Sequence, residues 1–164
     1  MPDFLDLHGK TQKVLRDLAD VGLRRHGLHV GQDHLLAALW ARDGSTPGEL
    51  SAALHVTTPT VVKAADRMTA AGLLTRRRDD QDNRLVRLWL TDAGRALREP
   101  VERERQLLDE AVTADLTAAE RTQLLSALTK IHRSARALLE APRADPGPDP
   151  GEGAGGGTAR GAAR

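Results

Sequence analysis

The sequence predicts a mainly α-helical fold that carries one small β-hairpin. Three observations support this. Apolar residues recur at spacings of three and four along most of the first 140 residues. Threonine-led helix starts recur between them, and only one segment alternates with a period of two. The length of 164 residues suffices for one domain with a sizeable core plus a tail.

The first predicted helix covers residues 4–24. Its seam follows a period of 3.5 residues and comprises Phe4, Leu7, Thr11, Val14, Leu18 and Val21. A narrow apolar seam at a chain end is typical of a helix that packs on a partner helix. The next helix runs from about Gln32 to Arg42, with Leu35, Leu36, Leu39 and Trp40 on one side.

Two short helices follow, and each has a recognisable start. Thr46 can cap the first helix, Pro47 fits its first position, and Glu49 completes a capping box. Thr58-Pro59 repeats the cap and proline after a turn of about three residues. This pattern matches a helix-turn-helix. The second helix points Val61, Ala65 and Met68 inward and leaves Thr60, Lys63, Ala64 and Arg67 outward.

The period-two segment predicts strands over residues 73–78 and 84–90, joined by five polar residues. Thr91 caps a long helix in which Pro100 predicts a kink near Arg98 or Glu99. A capping box at Thr117 starts the last helix, which should end near Ala141. Residues 142–164 are rich in proline and glycine, and we expect them to be disordered.

Several classes of protein are excluded or disfavoured. Cysteine is absent, which excludes disulfides and zinc-thiolate sites. We expect no signal peptide, no membrane span and a cytoplasmic location. The six histidines lack the i, i+4 spacing of a helical metal pair, so we predict no metal and no cofactor. No catalytic constellation stands out, so the chain is not expected to be an enzyme.

The net charge of +1 is uninformative, but its distribution is not. Between Thr57 and Leu90, lysine and arginine outnumber aspartate, which is the electrostatic footprint of a polyanion binder. A solvated charged face without a partner is the plainer alternative. The few aromatic residues argue against proteins that read single strands or RNA by base stacking.

The most telling run is Arg76-Arg77-Arg78-Asp79-Asp80-Gln81-Asp82-Asn83-Arg84, followed by Leu88-Trp89-Leu90-Thr91-Asp92-Ala93-Gly94. Together with the two helix starts and Ala70-Ala71-Gly72-Leu73-Leu74, it resembles the MarR family of bacterial winged helix-turn-helix regulators over roughly residues 4–140. The resemblance implies a winged helix-turn-helix DNA-binding domain at 32–91. It also implies an N-terminal dimerisation helix and its connector at 1–31 and C-terminal dimerisation helices at 92–141. The tail is 142–164.

The resemblance further implies a homodimer on a near-palindromic double-stranded DNA operator, with recognition helices in successive major grooves. It implies a repressor that releases DNA when a small-molecule effector binds. Two alternatives stay open: a metal-responsive regulator of the same fold, and a winged helix used as a protein-interaction module.

The expected DNA contacts lie on the second helix and the hairpin: Thr58, Thr60, Val61, Lys63, Arg67, Arg77, Arg78 and Arg84. Helix N-termini bind phosphate, and narrow minor grooves attract arginine. Thr58 is expected to be both cap and contact. The resemblance implies that Arg84 lies in the wing, with Asp82 holding Arg84 or the hairpin tip.

Two choices among these candidates remain open. Strand side chains alternate, so Arg76, Arg77 and Arg78 cannot all face DNA, and the two nearer the tip are preferred. His34 and Trp40 are candidates for effector binding, with a core position as the alternative for Trp40.

Overall fold

Seven helices and one antiparallel hairpin make up residues 3–141, the part of the chain that this computed structural model describes. The elements are α1 (Phe4–Arg24), α2 (Gln32–Ala41), α3 (Pro47–Leu54), α4 (Thr58–Ala70), β1 (Leu74–Arg78), β2 (Val86–Leu90), α5 (Asp92–Ala96), α6 (Arg98–Val112) and α7 (Ala118–Glu140). The mainly helical fold with one hairpin is confirmed. None of the described helices is both long and apolar enough to span a membrane.

The chain divides into two compact units, Met1–Asp115 and Leu116–Arg164. The four-segment division drawn from the sequence stays a prediction, and its tail, 142–164, lies outside the described residues. We call α2, α3, α4 and the hairpin together the reading head.

The core of the first unit lies beneath the reading head. Each fully buried leucine stabilises the fold by roughly 1.5–3 kcal/mol relative to an exposed one. The buried side chains come from α1 and its connector, the reading head and α6: Leu23, Leu28, Leu35, Leu36, Leu39, Leu50, Val61, Ala65, Met68, Leu74, Leu88, Leu90 and Val101.

The start of α3 is as predicted, but the start of α4 is not. Thr46 and Glu49 form a complete capping box. At α4 the cap is Thr57, whose hydroxyl accepts the amide of Thr60. Thr58 is instead the first helical residue, and its hydroxyl donates to Ser51 Oγ at 3.1 Å. The predicted capping role of Thr58 is therefore wrong, because a cap must precede the helix.

The hairpin is shorter than predicted at both ends. In its register, Leu74 pairs with Leu90 and Arg78 with Val86. Leu73 is outside the ladder because its amide donates to Met68 at the end of α4. Leu85 is outside because its amide donates to the Asp82 carbonyl within the tip turn.

The helix after the hairpin is interrupted at Leu97, close to the predicted kink. Thr91 caps α5 as expected, through the amide of Gly94. Pro100 carries no N–H to donate to the carbonyl four residues earlier, so the hydrogen-bond ladder breaks. The Leu97 backbone keeps helical dihedrals (φ −73°, ψ −10°), and α6 resumes at Arg98.

Each unit presents apolar side chains to solvent. In the first unit, most of the α1 seam is exposed: Phe4, Leu7, Val14, Leu18 and Val21. In the second unit, α7 has no buried residue, and it exposes Leu124, Leu128, Ile131 and Leu138 at helical spacing.

We expect Gly94→Ala to destabilise the first unit. A Cβ at Gly94 would collide with the Leu73 carbonyl and press on Leu90, and such overpacking costs about 1–3 kcal/mol. Urea unfolding should show a lower midpoint. Gly48→Ala is the matched control, since a Cβ at Gly48 would meet only the Thr46 hydroxyl, at the ordinary contact distance of 3.9 Å, and its midpoint should not fall. An unchanged midpoint in Gly94→Ala would contradict the packing described.

Candidate nucleic-acid interface

The recognition helix α4 separates a buried face from an exposed one. Val61, Ala65 and Met68 are buried, whereas Thr60, Lys63 and Arg67 are exposed. The prediction that Val61 contacts DNA is wrong, since its side chain is 2% exposed and belongs to the core. The other predicted contacts on this helix are accessible.

The three consecutive arginines of β1 have different surroundings. Arg76 forms an ion pair with Asp66 of α4. The guanidinium of Arg77 lies over the ring of Trp89, 5.9 Å from its centroid. Arg78 is exposed, and within residues 3–141 no ion pair or hydrogen bond holds its guanidinium. Strand alternation alone could not make this distinction.

Asp79 builds the hairpin tip. Its Oδ1 accepts the amides of Gln81 and Asp82, at 2.9 and 2.8 Å. Asp82 continues the turn by accepting the Arg84 amide at 3.0 Å. Asp82 thus contacts the backbone of Arg84, and within residues 3–141 no ion pair or hydrogen bond holds the exposed Arg84 guanidinium. Sequence reasoning missed Asp79, although an aspartate at the start of a polar turn is a common signal.

Arg87 connects this tip to the helices. Its Nε donates to the Asp79 carboxylate, and its Nη1 donates to the Gly44 carbonyl at 2.9 Å. Nη1 also lies 3.5 Å from Oε2 of Glu49 on α3. The contacts with Gly44 and Glu49 could not be predicted from sequence, because they join residues about forty positions apart, and the contact with Asp79 depends on the exact hairpin register.

The base of the hairpin rests on the loop between α2 and α3. Ser45 pairs with Leu88 as an isolated bridge, and its carbonyl accepts the Leu88 amide. Asp43 accepts the Leu90 amide at 2.9 Å. Gly44 has a φ of 73°, and a Cβ there would lie 2.5 Å from the Trp89 ring. Glycine is therefore required at position 44 for both reasons.

Two carboxylates of this network are easier to ionise than usual. The Arg87 guanidinium, helped by the amides of Asp82 and Gln81, lowers the pKa of Asp79 from 3.8 to about 2. The Thr46 amide is the largest cause of the lowered pKa of Glu49. Hydrogen bonding to the Asp79 carboxylate in turn raises the pKa of Arg87. All three groups stay charged at neutral pH.

A cleft of about 690 Å³ lies beside the recognition helix. Its lining residues include His34, Thr60, Lys63 and Arg67. Trp40 is not among its lining residues. The Trp40 indole N–H donates to the Gly94 carbonyl at 3.0 Å and its ring packs against the core, which supports the core alternative. Within residues 3–141, no cluster of three or more histidine, aspartate or glutamate side chains could hold a metal ion.

We expect the Asp79 carboxyl to titrate near pH 2 in the folded protein. Because this pKa lies below the ordinary value of 3.8, the stabilisation is present above about pH 4 and is lost as the pH falls through 2. Carboxyl NMR of the wild type should show this midpoint. Arg87→Met should return it toward 3.8, whereas Arg95→Met should leave it low. A wild-type midpoint near 4 would contradict the contact.

Comparison with known proteins agrees with this geometry. A MarR family model matches residues 26–85. An uncharacterised HTH-type transcriptional regulator, YdgJ of Bacillus subtilis, is 25% identical over 108 residues. The match covers 66% of this chain and 66% of that relative.

Solved structures extend the match over most of the described chain. The MepR–DNA complex of S. aureus has a TM-score of 0.76 at 26% identity, covering 82% of this chain and 99% of that one. A MarR variant from E. coli in complex with operator DNA has a TM-score of 0.71 at 26% identity, covering 76% and 90%. Residues 26–85, which carry most of the winged helix-turn-helix, therefore belong to the MarR family of transcriptional regulators, and the described chain shares the fold of these solved MarR-family structures.

Proposed function

We propose that the protein binds an operator in double-stranded DNA as a homodimer and represses transcription in the cytoplasm. One observation carries the proposal. Once internal contacts are subtracted, four cations of the reading head remain without a partner in the described chain: Lys63, Arg67, Arg78 and Arg84. They lie on the recognition helix and the wing, the two elements that enter grooves in this fold.

The relatives support this proposal. MepR and MarR were each solved with DNA, and the chain shares their fold over most of its described length. By analogy, α4 lies in the major groove, where Thr60 and Lys63 reach phosphates or base edges. Arg84 in the tip turn and Arg78 at the end of β1 follow the phosphates or enter the minor groove.

The exposed apolar residues support a homodimer. Stripes on α1 and α7 would be costly to leave in water, and a second copy is the occupant that a two-fold operator requires. The two reading heads would then meet half-sites one helical turn apart.

Effector release is part of the proposal. The cleft beside α4 shares Lys63 and Arg67 with the proposed DNA surface. A small molecule in contact with these side chains and His34 would compete with phosphate for them. Binding to one state only shifts the equilibrium toward that state.

Selection of bound sequences from random duplex DNA tests the whole proposal. The expected result is two related half-sites in inverted repeat. Recovery of no enriched sequence would contradict it and favour a protein-interaction module. Operator affinity that changes on adding zinc or a chelator would instead favour the metal-responsive alternative.

Salt dependence tests which arginines meet DNA. If the four cations of both protomers each neutralise one phosphate, the log–log slope of affinity against salt approaches about −7. We expect Arg84→Ala to weaken operator binding about tenfold or more, on the order of 1–3 kcal/mol. The slope should become shallower by about 2, since each dimer loses two contacts.

Arg78→Ala should change the slope by a similar amount. Arg76→Ala is the matched control, because Asp66 already neutralises Arg76. Its slope should stay close to that of the wild type. Equal slope changes in all three variants would contradict the proposal that Arg78 and Arg84 contact phosphates whereas Arg76 does not.

The dimer interface can be tested on α7. Ile131→Glu places a charge in the exposed stripe and should shift the protein from dimer to monomer at micromolar concentration, as measured by sedimentation velocity. Ser126→Glu is the control, because Ser126 is exposed on the opposite side of the same helix. A wild-type monomer, or an unchanged dimer in Ile131→Glu, would contradict the α7 assignment.

A further inference from the structure

The proposed DNA surface does not use Arg87, the arginine of the reading head that has the most internal contacts. Its side chain is 29% exposed. Its partners come from three places: Asp79 at the hairpin tip, the Gly44 carbonyl in the α2–α3 loop, and Glu49 on α3. One guanidinium therefore contacts the tip, the loop and the first helix of the helix-turn-helix.

Both carboxylates beside Arg87 are themselves tied to backbone turns. Asp79 accepts the amides of Gln81 and Asp82 through its other oxygen. Glu49 accepts the Thr46 amide at 2.7 Å and so closes the capping box of α3. A continuous polar path thus runs from the tip turn through Arg87 to the start of α3.

The hairpin needs such a path because its outer half has little else to hold it. Leu74, Leu88 and Leu90 bury its base in the core. Beyond them, the side chains at 80–86 are all exposed. An isolated two-stranded hairpin is marginally stable in water, so its tip has no fixed direction without contacts to the body.

We propose that Arg87 is a positioning residue for DNA recognition, and that its guanidinium, held between Asp79 and Glu49, fixes the direction of the wing tip relative to the recognition helix. The position of Arg84 on the duplex then depends on Arg87. Only the consequence for DNA rests on the proposed function. The planar fork of arginine can contact both carboxylates and the carbonyl at once, which a lysine ammonium cannot do with the same geometry.

The tip direction can be measured without DNA. The chain has no cysteine, so nitroxide labels can be placed at Gln81→Cys on the tip and Ala52→Cys on α3, both exposed positions. Dilution with unlabelled protein isolates the distance within one protomer. We expect a narrow distance distribution with Arg87 present and a broad one in Arg87→Met and in Arg87→Lys.

Arg95→Met is the matched control for this measurement. Arg95 also forms an ion pair near the hairpin, with Asp43 at 3.0 Å, but it does not contact the tip. Its distribution should stay narrow, and circular dichroism should show all variants folded. An equally narrow distribution in folded Arg87→Met would overturn the proposal.

A double-mutant cycle on a selected operator tests the consequence for recognition. Arg84→Ala should weaken binding about tenfold or more in the wild type, but less than about threefold in Arg87→Met, because a misdirected tip has already lost that contact. In the Arg95→Met background, Arg84→Ala should again weaken operator binding about tenfold or more. Additive losses of Arg84 and Arg87 would show that Arg87 acts independently of the wing, and would overturn the positioning role.

The two experiments separate the failure of each proposal. If no duplex is selected, the proposed function fails, and the distance measurement still decides whether Arg87 orients the tip. If the wild type binds an operator and the distance distribution does not broaden, only the positioning role fails.

Discussion

The loop between α2 and α3 holds both the hairpin and the helix-turn-helix of the reading head in place. Ser45 pairs with β2, and the Gly44 carbonyl accepts from Arg87. Thr46, which follows Ser45, caps α3. Four consecutive residues, 43–46, therefore fix the hairpin and begin the helix-turn-helix. Because exposed ion pairs contribute only about 0–1 kcal/mol, the buried leucines supply the stability, and these polar contacts set the relative orientation of the elements.

The sequence predicted the helices because their signals are local. Capping boxes at Thr46 and Thr117 and the interruption caused by Pro100 depend on residues within one turn of each other. The sequence did not identify the cap of α4 correctly. Thr57 and Thr58 both precede Pro59 and either could cap the helix, and only the backbone conformation shows that Thr57 does. Strand ends were also misplaced, because Leu73 and Leu85 form turn hydrogen bonds that the period-two pattern does not reveal.

The candidate site was harder to predict than the fold. Counting cations located the basic element correctly but could not tell which ones are already neutralised. Arg76 pairs with Asp66, and Arg87 with Asp79 and Glu49. The Arg76–Asp66 and Arg87–Glu49 pairs join residues that only the tertiary fold brings together, and the Arg87–Asp79 pair depends on the register of the hairpin. An arginine that the sequence suggests for DNA binding can therefore be held by an internal ion pair. In the same way, Val61 was expected to contact DNA but is buried in the core.

Both tryptophans of the chain have contacts at or next to the base of the hairpin. Trp89 packs on Gly44 beneath Arg77, and Trp40 donates its indole N–H to Gly94, just beyond β2. Indole emission responds to hydration and to a nearby charge. The intrinsic tryptophan fluorescence of this protein therefore reports on the junction where the wing joins the helices, without a dye or an added label.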